Sequence, residues 1–211
     1  MRAVLALLAA LAVLSGAAAP APRASASVAS GRHTVRTVVR PVGRDGVPAA
    51  GWRVVRERIY GFTCNSGPSR VAVDPGIRYC GAAITNTVAC WKSARHTVLC
   101  MRNPRVHQLV RIRYRGAFRP VRAAARPSPQ ALDLVSGNRC IIRSGGAWSP
   151  VKRHPRWFGT YSCARGNLYG PGRDGIDRSV RPWRVHLVLN PRRPTIRQRR
   201  VAIAYYAGNA R

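Results

Sequence analysis

From Trp52 onward the chain consists of short apolar runs, most of them alternating with polar residues. Val110, Ile112 and Tyr114 alternate with Arg111 and Arg113, which predicts a strand with one buried and one solvated face. The same period recurs in two later segments, where the alternating apolar residues are Trp183, Val185, Leu187 and Leu189, and then Val201, Ile203 and Tyr205.

Two further runs, 88–91 and 97–100, flank the tetrapeptide at 93–96 and predict a hairpin. No window of a dozen residues has a convincing helical period, because Pro127 and Pro129 interrupt the longest candidate, 121–134. The pattern therefore predicts an all-β fold of eight to eleven short strands, arranged as an antiparallel sandwich or an open barrel and stapled by disulfides.

The N-terminus has the layout of a secretory signal peptide. Arg2 precedes a wholly apolar run at 3–14, and small residues follow. That run is shorter than the roughly 18–20 residues that span a bilayer. We expect a signal peptide over 1–26, cleaved between Ala17 and Ala26, and no transmembrane segment in the mature form. Residues 27–51 are predicted to be a flexible leader, with a single domain at 52–211.

The six cysteines are even in number and none forms a C-x-x-C pair, which argues against zinc and redox sites. In an exported protein they predict three disulfides, and no metal or cofactor is expected. A free catalytic cysteine with a histidine is the alternative. Fifteen connectivities are possible. The preferred pairing joins Cys140 to Cys163, Cys80 to Cys90, and Cys64 to Cys100.

The charge is strongly unbalanced, with 37 basic and 6 acidic residues and a net charge of +31. Codon bias in a GC-rich genome is one explanation for the excess of arginine over lysine in this chain. It does not explain the shortage of aspartate and glutamate. Arginine gives planar, bidentate recognition of carboxylate and phosphate. The balance therefore predicts adhesion to anionic polymers, whether or not that is the function.

Basic side chains cluster in two places, and the candidate binding residues are Arg111, Arg113, Arg192, Arg193, Arg197, Arg199 and Arg200. Arginines interleaved with aromatic residues are typical of β-folds that bind single-stranded nucleic acid. Nucleic acid is a poor fit for an exported protein, so an anionic envelope polymer or an acidic protein is the expected partner. A merely solvated basic face is the alternative.

A search for catalytic motifs finds no G-x-S-x-G elbow, no P-loop and no closely spaced histidine pair. The only close carboxylate pair is Asp174 and Asp177, which favours either a hydrolase of envelope material or a simple turn held by neighbouring arginines. A secreted inhibitor or toxin-like effector is a third class that suits a disulfide-stapled β-scaffold.

Five cysteine-bearing segments carry a resemblance to a group of proteins: 79–81, 88–91, 97–100, 136–140 and 161–163. With the stretch at 175–179 and Trp183, they resemble uncharacterised secreted proteins of mycobacteria and related actinobacteria. The resemblance covers roughly residues 60–190 and implies an extracellular or envelope location without an assigned activity. The sequence as a whole favours an exported, non-enzymatic protein that binds anionic polymer, with a hydrolase using Asp174 or Asp177 as the alternative.

Overall fold

The structure is a computed structural model, and it describes residues 32–82, 85–145, 150–152, 154–190 and 194–211. These ranges contain no helix and twelve strands: β1 (Val35–Gly43), β2 (Arg53–Glu57), β3 (Arg78–Ala82), β4 (Thr85–Lys92), β5 (Thr97–Met101), β6 (Gln108–Arg113), β7 (Ala131–Leu134), β8 (Arg139–Ile142), β9 (Phe158–Cys163), β10 (Asn167–Gly170), β11 (Arg184–Val188) and β12 (Ile196–Ala210). The all-β prediction is confirmed, and the predicted hairpin is β4–β5, which pairs in antiparallel fashion.

Strands β7 to β12 form a closed six-stranded barrel. Each is antiparallel to the next, and β12 closes the ring by pairing with β7. Closure leaves no exposed edge along the paired segments, which is how a small β domain avoids edge-to-edge association. The barrel is therefore closed, where the sequence predicted a sandwich or an open barrel.

Strand β12 is 15 residues long, and successive parts of it pair with three different strands. It pairs with β11 along residues 196–200 and with β7 along 201–205, and then runs parallel to β1 along 203–210. Thr34 joins β1 to the barrel, since its hydroxyl donates to the Val201 carbonyl at 2.8 Å and accepts from the Trp183 amide at 2.8 Å. Residues 35–43 thus belong to the sheet, which corrects the expectation of a flexible leader over 27–51. The segment is rich in β-branched residues, which favour strands, but Pro41 and Gly43 obscured that signal.

The second sheet has the order β2-β6-β5-β4-β3, with β2 parallel to β6. Thr63 bridges Gly81 in β3 on one side and Arg115, just beyond β6, on the other, so this sheet also curls on itself. The main apolar cluster draws on both sheets and includes Leu99, Leu109, Leu132, Tyr161 and Tyr206. A second cluster on the other face of this sheet contains Phe62, Val98, Ile112 and four cysteines.

Both faces of the second sheet are therefore covered, which corrects the prediction that β6 has one wet face. Val110, Ile112 and Tyr114 are buried as expected, but Leu109 on the opposite face is fully buried as well. Arg111, which lies opposite Leu99 on β5, is half-buried for the same reason.

All six cysteines form disulfides, as predicted, and each bond joins residues opposite one another on antiparallel segments. Cys140 pairs with Cys163 and Cys90 with Cys100, both in direct cross-strand register. Cys64 pairs with Cys80, one step along from the Thr63–Gly81 bridge.

The predicted Cys140–Cys163 bond is confirmed, whereas Cys80–Cys90 and Cys64–Cys100 are wrong. Cys80 and Cys90 do lie on neighbouring strands, but the register of β3 against β4 places Cys80 opposite Thr87 and Cys90 opposite Arg78. Adjacent strands alone do not bring two sulfurs together, because only residues in register have the required separation.

The signal peptide predicted over 1–26 lies outside the described residues. Across the segments that the structure does describe, no helix has the length and apolar character to cross a membrane. The three disulfides are compatible with an extracellular protein.

Candidate anion-binding site

A tight turn after β10 holds Asp174 against the barrel. Gly172 and Gly175 adopt φ values of 71° and 65°, the left-handed region that favours glycine. A Cβ on Gly170 would lie only 2.7 Å from the Cα of Gly175, so the two backbones approach closely. The turn places the Asp174 carboxylate in a nearly buried position, with the residue 7% exposed.

The Asp174 carboxylate is fully occupied by donors. Arg178 donates to both of its oxygens, with distances of 3.0 Å from Nη1 to Oδ1 and 2.6 Å from Nη2 to Oδ2. The Ile176 amide and the Ser128 hydroxyl donate as well. Burial by itself raises the pKa of Asp174, but these hydrogen bonds and the Arg178 charge outweigh it, so the pKa lies below its ordinary value.

Arg178 is itself positioned by aromatic rings. Its guanidinium lies 5.1 Å from the centre of the Trp183 ring, and it contacts the Tyr206 hydroxyl. Burial lowers the pKa of Arg178. The hydrogen bonds and charge of Asp174 raise it by more than burial lowers it, so the net shift is upward. The pair is therefore ionised and fixed in place.

Beside this pair is a cavity of about 590 Å³, which we call the large arginine cavity. Arg36, Arg126, Arg173 and Arg178 line it, and Asp174 is its one carboxylate. Arg36 extends from β1 across β12, with its guanidinium 5.0 Å from the centre of the Tyr206 ring. Because Arg178 holds Asp174, the other three arginines have no carboxylate partner among the described residues.

A second cavity of about 230 Å³, the small arginine cavity, shares Arg173 with the first. Arg70 and Arg143 also line it, and Arg70 Nη2 donates to the Arg143 carbonyl at 2.6 Å. Phe158, 58% exposed, stands at this cavity and lies opposite Gly170 at the start of the Asp174 turn. Burial lowers the pKa of Arg70, and the charge of Arg173 lowers it further.

A larger cavity, of about 900 Å³, has a different character. It carries two aspartates, Asp45 and Asp74, against Arg40, Arg44 and Arg211. Asp74 accepts from Arg40 at 2.5 Å and from the Asn209 amide at 2.8 Å, so part of that charge is already compensated. The excess of unpaired positive charge is greater in the large arginine cavity, which makes it the better candidate site.

None of the described arginines predicted to bind lines either arginine cavity. Arg111 and Arg113 lie on β6 in the second sheet, whereas Arg197, Arg199 and Arg200 lie on β12 in the barrel. Arg192 and Arg193 lie outside the described residues. The structure thus divides the predicted set between two sheets and does not gather it into one site.

Asp174 and Asp177 do not face each other across a cleft, as a two-carboxylate hydrolase requires. Asp177 is exposed and does not line the cavity. Its carboxylate accepts from the Ser179 amide at 2.9 Å and from the Ser179 hydroxyl at 2.6 Å, and these bonds lower its pKa. Asp177 therefore has the geometry of a turn-forming aspartate, and Asp174 that of a buried ion-pair partner.

Two histidines gather around one tryptophan elsewhere on the barrel. Trp157 lies between His154, at 4.0 Å, and His186, at 4.5 Å, measured between ring centres. Burial lowers the pKa of His186, and His154 lowers it further. No group of three potential ligands suited to a metal ion occurs within the described ranges.

Sequence reasoning missed Arg36, Arg126 and Arg173 because each stands alone and none belongs to a charge cluster. Arg173 had a usable signal, since it adjoins the aspartate turn already singled out.

Comparison of the chain with protein-family models, curated proteins and solved structures finds no significant match.

Proposed function

We propose that this protein is an exported, non-enzymatic binder of anionic polymers, and that the large arginine cavity is its principal binding site. The observation that carries the proposal is the charge of this cavity. Its one carboxylate already has an arginine partner, while Arg36, Arg126 and Arg173 face the same space without one. Gathering like charges is unfavourable in the free protein, so an anion that pairs with them gains affinity.

The ion pairs in the part of the chain that the structure describes support this reading. Of its six acidic residues, four are bound to an arginine: Asp74 to Arg40, Glu57 to Arg102, Asp133 to Arg105 and Asp174 to Arg178. The remaining two, Asp45 and Asp177, accept hydrogen bonds within their own turns. With 37 basic residues in the chain, most of the positive charge has no carboxylate inside the protein to neutralise it. External anions are the available counter-charge.

The state of Asp174 favours binding over hydrolysis. A general acid must carry a proton near neutral pH, and a nucleophile or base needs an accessible oxygen. Asp174 has a lowered pKa and four donors on its two oxygens, so it meets neither requirement. Its role is to fix Arg178 and, through the turn, Arg173.

The proposed location is outside the cytoplasm. Three disulfides are stable under oxidising conditions, and the N-terminal sequence has the pattern of an export signal. An acidic polysaccharide of the cell envelope is a ligand available there. The resemblance to secreted actinobacterial proteins remains a prediction that agrees with this location.

The test compares two double variants that remove equal charge. Arg36→Gln/Arg126→Gln removes two positive charges from the lining of the large arginine cavity. Arg113→Gln/Arg115→Gln removes two exposed arginines at the end of β6 and just beyond it. Binding to polygalacturonate is measured by isothermal titration at 50 and 200 mM salt. The cavity variant should lose about tenfold or more in affinity, since hydrogen bonds to charged groups contribute about 1.5–3 kcal/mol each. The β6 variant should lose little.

Equal losses in the two variants would show that the chain binds polyanions through diffuse charge and would overturn the cavity as the site. No measurable binding at 50 mM salt would overturn the function itself. Wild-type binding should weaken at 200 mM salt because the Debye length falls below about 10 Å and exposed charges are screened.

A further inference from the structure

We infer that the two arginine cavities form one elongated site that binds consecutive sugar units of an acidic polysaccharide, with Arg173 shared between two neighbouring anionic groups. This inference rests on the proposed function and specifies its ligand. The cavities share Arg173 at the tip of the Asp174 turn. A linear polymer that carries one anion on each unit fits two adjoining basic cavities better than a single small anion does.

The electrostatics show that the two cavities are coupled. The pKa of Arg70, in the small arginine cavity, is lowered by burial first and then by Arg173, while Asp174 in the other cavity partly opposes that shift. An anion next to Arg173 therefore relieves repulsion in both cavities. Occupation of one cavity by a polymer unit makes the next anion of the same chain effectively intramolecular, which raises affinity without new contacts.

The aromatic residues indicate that the repeating unit contains a ring. Phe158 is the most exposed phenylalanine in the described part of the chain, and it stands at the small arginine cavity with 58% of its surface open. An exposed large aromatic ring beside arginines offers an apolar face to a sugar ring while the arginines bind its carboxylate or phosphate. A polyanion without rings would leave Phe158 unused.

Size separates the roles of the two cavities. The large arginine cavity, at about 590 Å³, has room for a whole sugar unit with its anionic group. The small one, at about 230 Å³, accommodates the anionic group of the next unit while the ring lies against Phe158. A monosaccharide is therefore expected to fill the large cavity only.

The experiment titrates galacturonate and its oligomers of two, three and six units into four proteins: wild type, Arg36→Gln, Arg173→Gln and Phe158→Ala. All three substituted side chains are exposed, so these variants should fold, and a melting curve for each checks this. Wild-type affinity should rise about tenfold or more from one unit to two, after correction for the number of binding frames, and then level off.

The variants should separate the two halves of the site. Arg36→Gln should weaken the monomer and the trimer by similar factors, because it acts in the large cavity. Phe158→Ala should leave the monomer unchanged and weaken the trimer about three- to tenfold. Arg173→Gln should weaken both and reduce the gain from one unit to three.

A wild-type affinity that does not increase with length, or a Phe158→Ala variant that binds the trimer as wild type does, would overturn the elongated site and leave the proposed function intact. Inorganic polyphosphate of matched charge is the control for the ring. If it binds as tightly as the hexamer and responds to the variants in the same way, the polysaccharide specificity is wrong. Failure of every anionic ligand to bind would instead be failure of the proposed function.

Discussion

Arg178 holds the buried carboxylate of Asp174 by two hydrogen bonds, one to each oxygen, at 3.0 and 2.6 Å. The two residues are four apart in sequence, and the tight turn between Gly170 and Gly175 presents the carboxylate to the guanidinium. This pair holds the turn that carries Arg173, so it is a structural support for the candidate site.

Replacing Asp174 by Asn should destabilise the protein by about 1–3 kcal/mol, because Arg178 loses its charged partner in a partly buried place. Urea unfolding at pH 7 measures the change. Asp177→Asn is the matched control, since Asp177 is exposed and its carboxylate accepts hydrogen bonds from Ser179 two residues away, and it should unfold much as wild type does. Equal effects of the two substitutions would mean that Asp174 has no special structural role.

The lowered pKa of Asp174 predicts a specific dependence on acid. The folded protein holds the ionised carboxylate more tightly than the unfolded chain does, so this contribution is complete above the ordinary pKa of 3.8 and disappears as the pH falls through the lower folded value. Wild type should therefore lose stability more steeply than Asp174→Asn below about pH 4. Parallel curves for the two proteins would contradict the assignment.

His186 predicts a second, separate pH dependence. Burial and His154 lower its pKa from 6.5, so the unfolded chain takes up the proton more readily than the folded protein does. Stability should fall as the pH drops below about 6.5, until the folded value is reached. Chemical unfolding at pH 7.5 and 5.5 should show this loss in wild type and a smaller one in His186→Gln. His33→Gln, at an exposed position, should behave as wild type does.

The turn glycines should differ in their sensitivity to substitution. Gly170→Ala places a methyl group against the Gly175 backbone, so we expect a loss of several kcal/mol or a displaced turn. Gly172→Ala meets open space and suffers only from its positive φ, about 1 kcal/mol. Thermal unfolding of both variants checks the order. A Gly172 variant less stable than the Gly170 variant would contradict the close approach.

The disulfides should account for much of the stability. Each of the three closed loops should contribute about 2–4 kcal/mol, so complete reduction should lower the melting temperature by about 15–40 °C. Non-reducing peptide mapping should recover the pairs Cys64–Cys80, Cys90–Cys100 and Cys140–Cys163. Thiol titration of the denatured, unreduced protein should find no free thiol, and six would refute the account.

The sequence predicted that the chain forms β-strands, but it did not predict the register in which those strands pair. Alternation in 201–205 placed Val201, Ile203 and Tyr205 on one face, yet in 202–206 the buried residues are Ala202, Ala204 and Tyr206. A register shift between Val201 and Ile203 reverses the alternation, and no local residue pattern announces it. The register of β3 against β4 was equally unpredictable, since it places Cys80 opposite Thr87 and Cys90 opposite Arg78.

The candidate site could be predicted only in part. Asp174 stood out as one of two close carboxylates, and the turn around it could be read from its glycines. Arg36 and Arg126 could not be assigned to it, because they reach the cavity through the β1–β12 pairing and through the segment preceding β7, contacts between residues far apart in the chain. Arginines grouped in sequence, such as Arg197, Arg199 and Arg200, attracted attention instead.

Hydrogen exchange of the backbone amides, read by mass spectrometry with and without an oligogalacturonate, tests the central claim most directly. Bound ligand should slow exchange in peptides covering the Asp174 turn, the segment around Arg126 and Ser128, and the part of β1 that carries Arg36. Protection confined to β6 or to residues 197–200, with none in the turn, would contradict the assignment of the site to the arginine cavities.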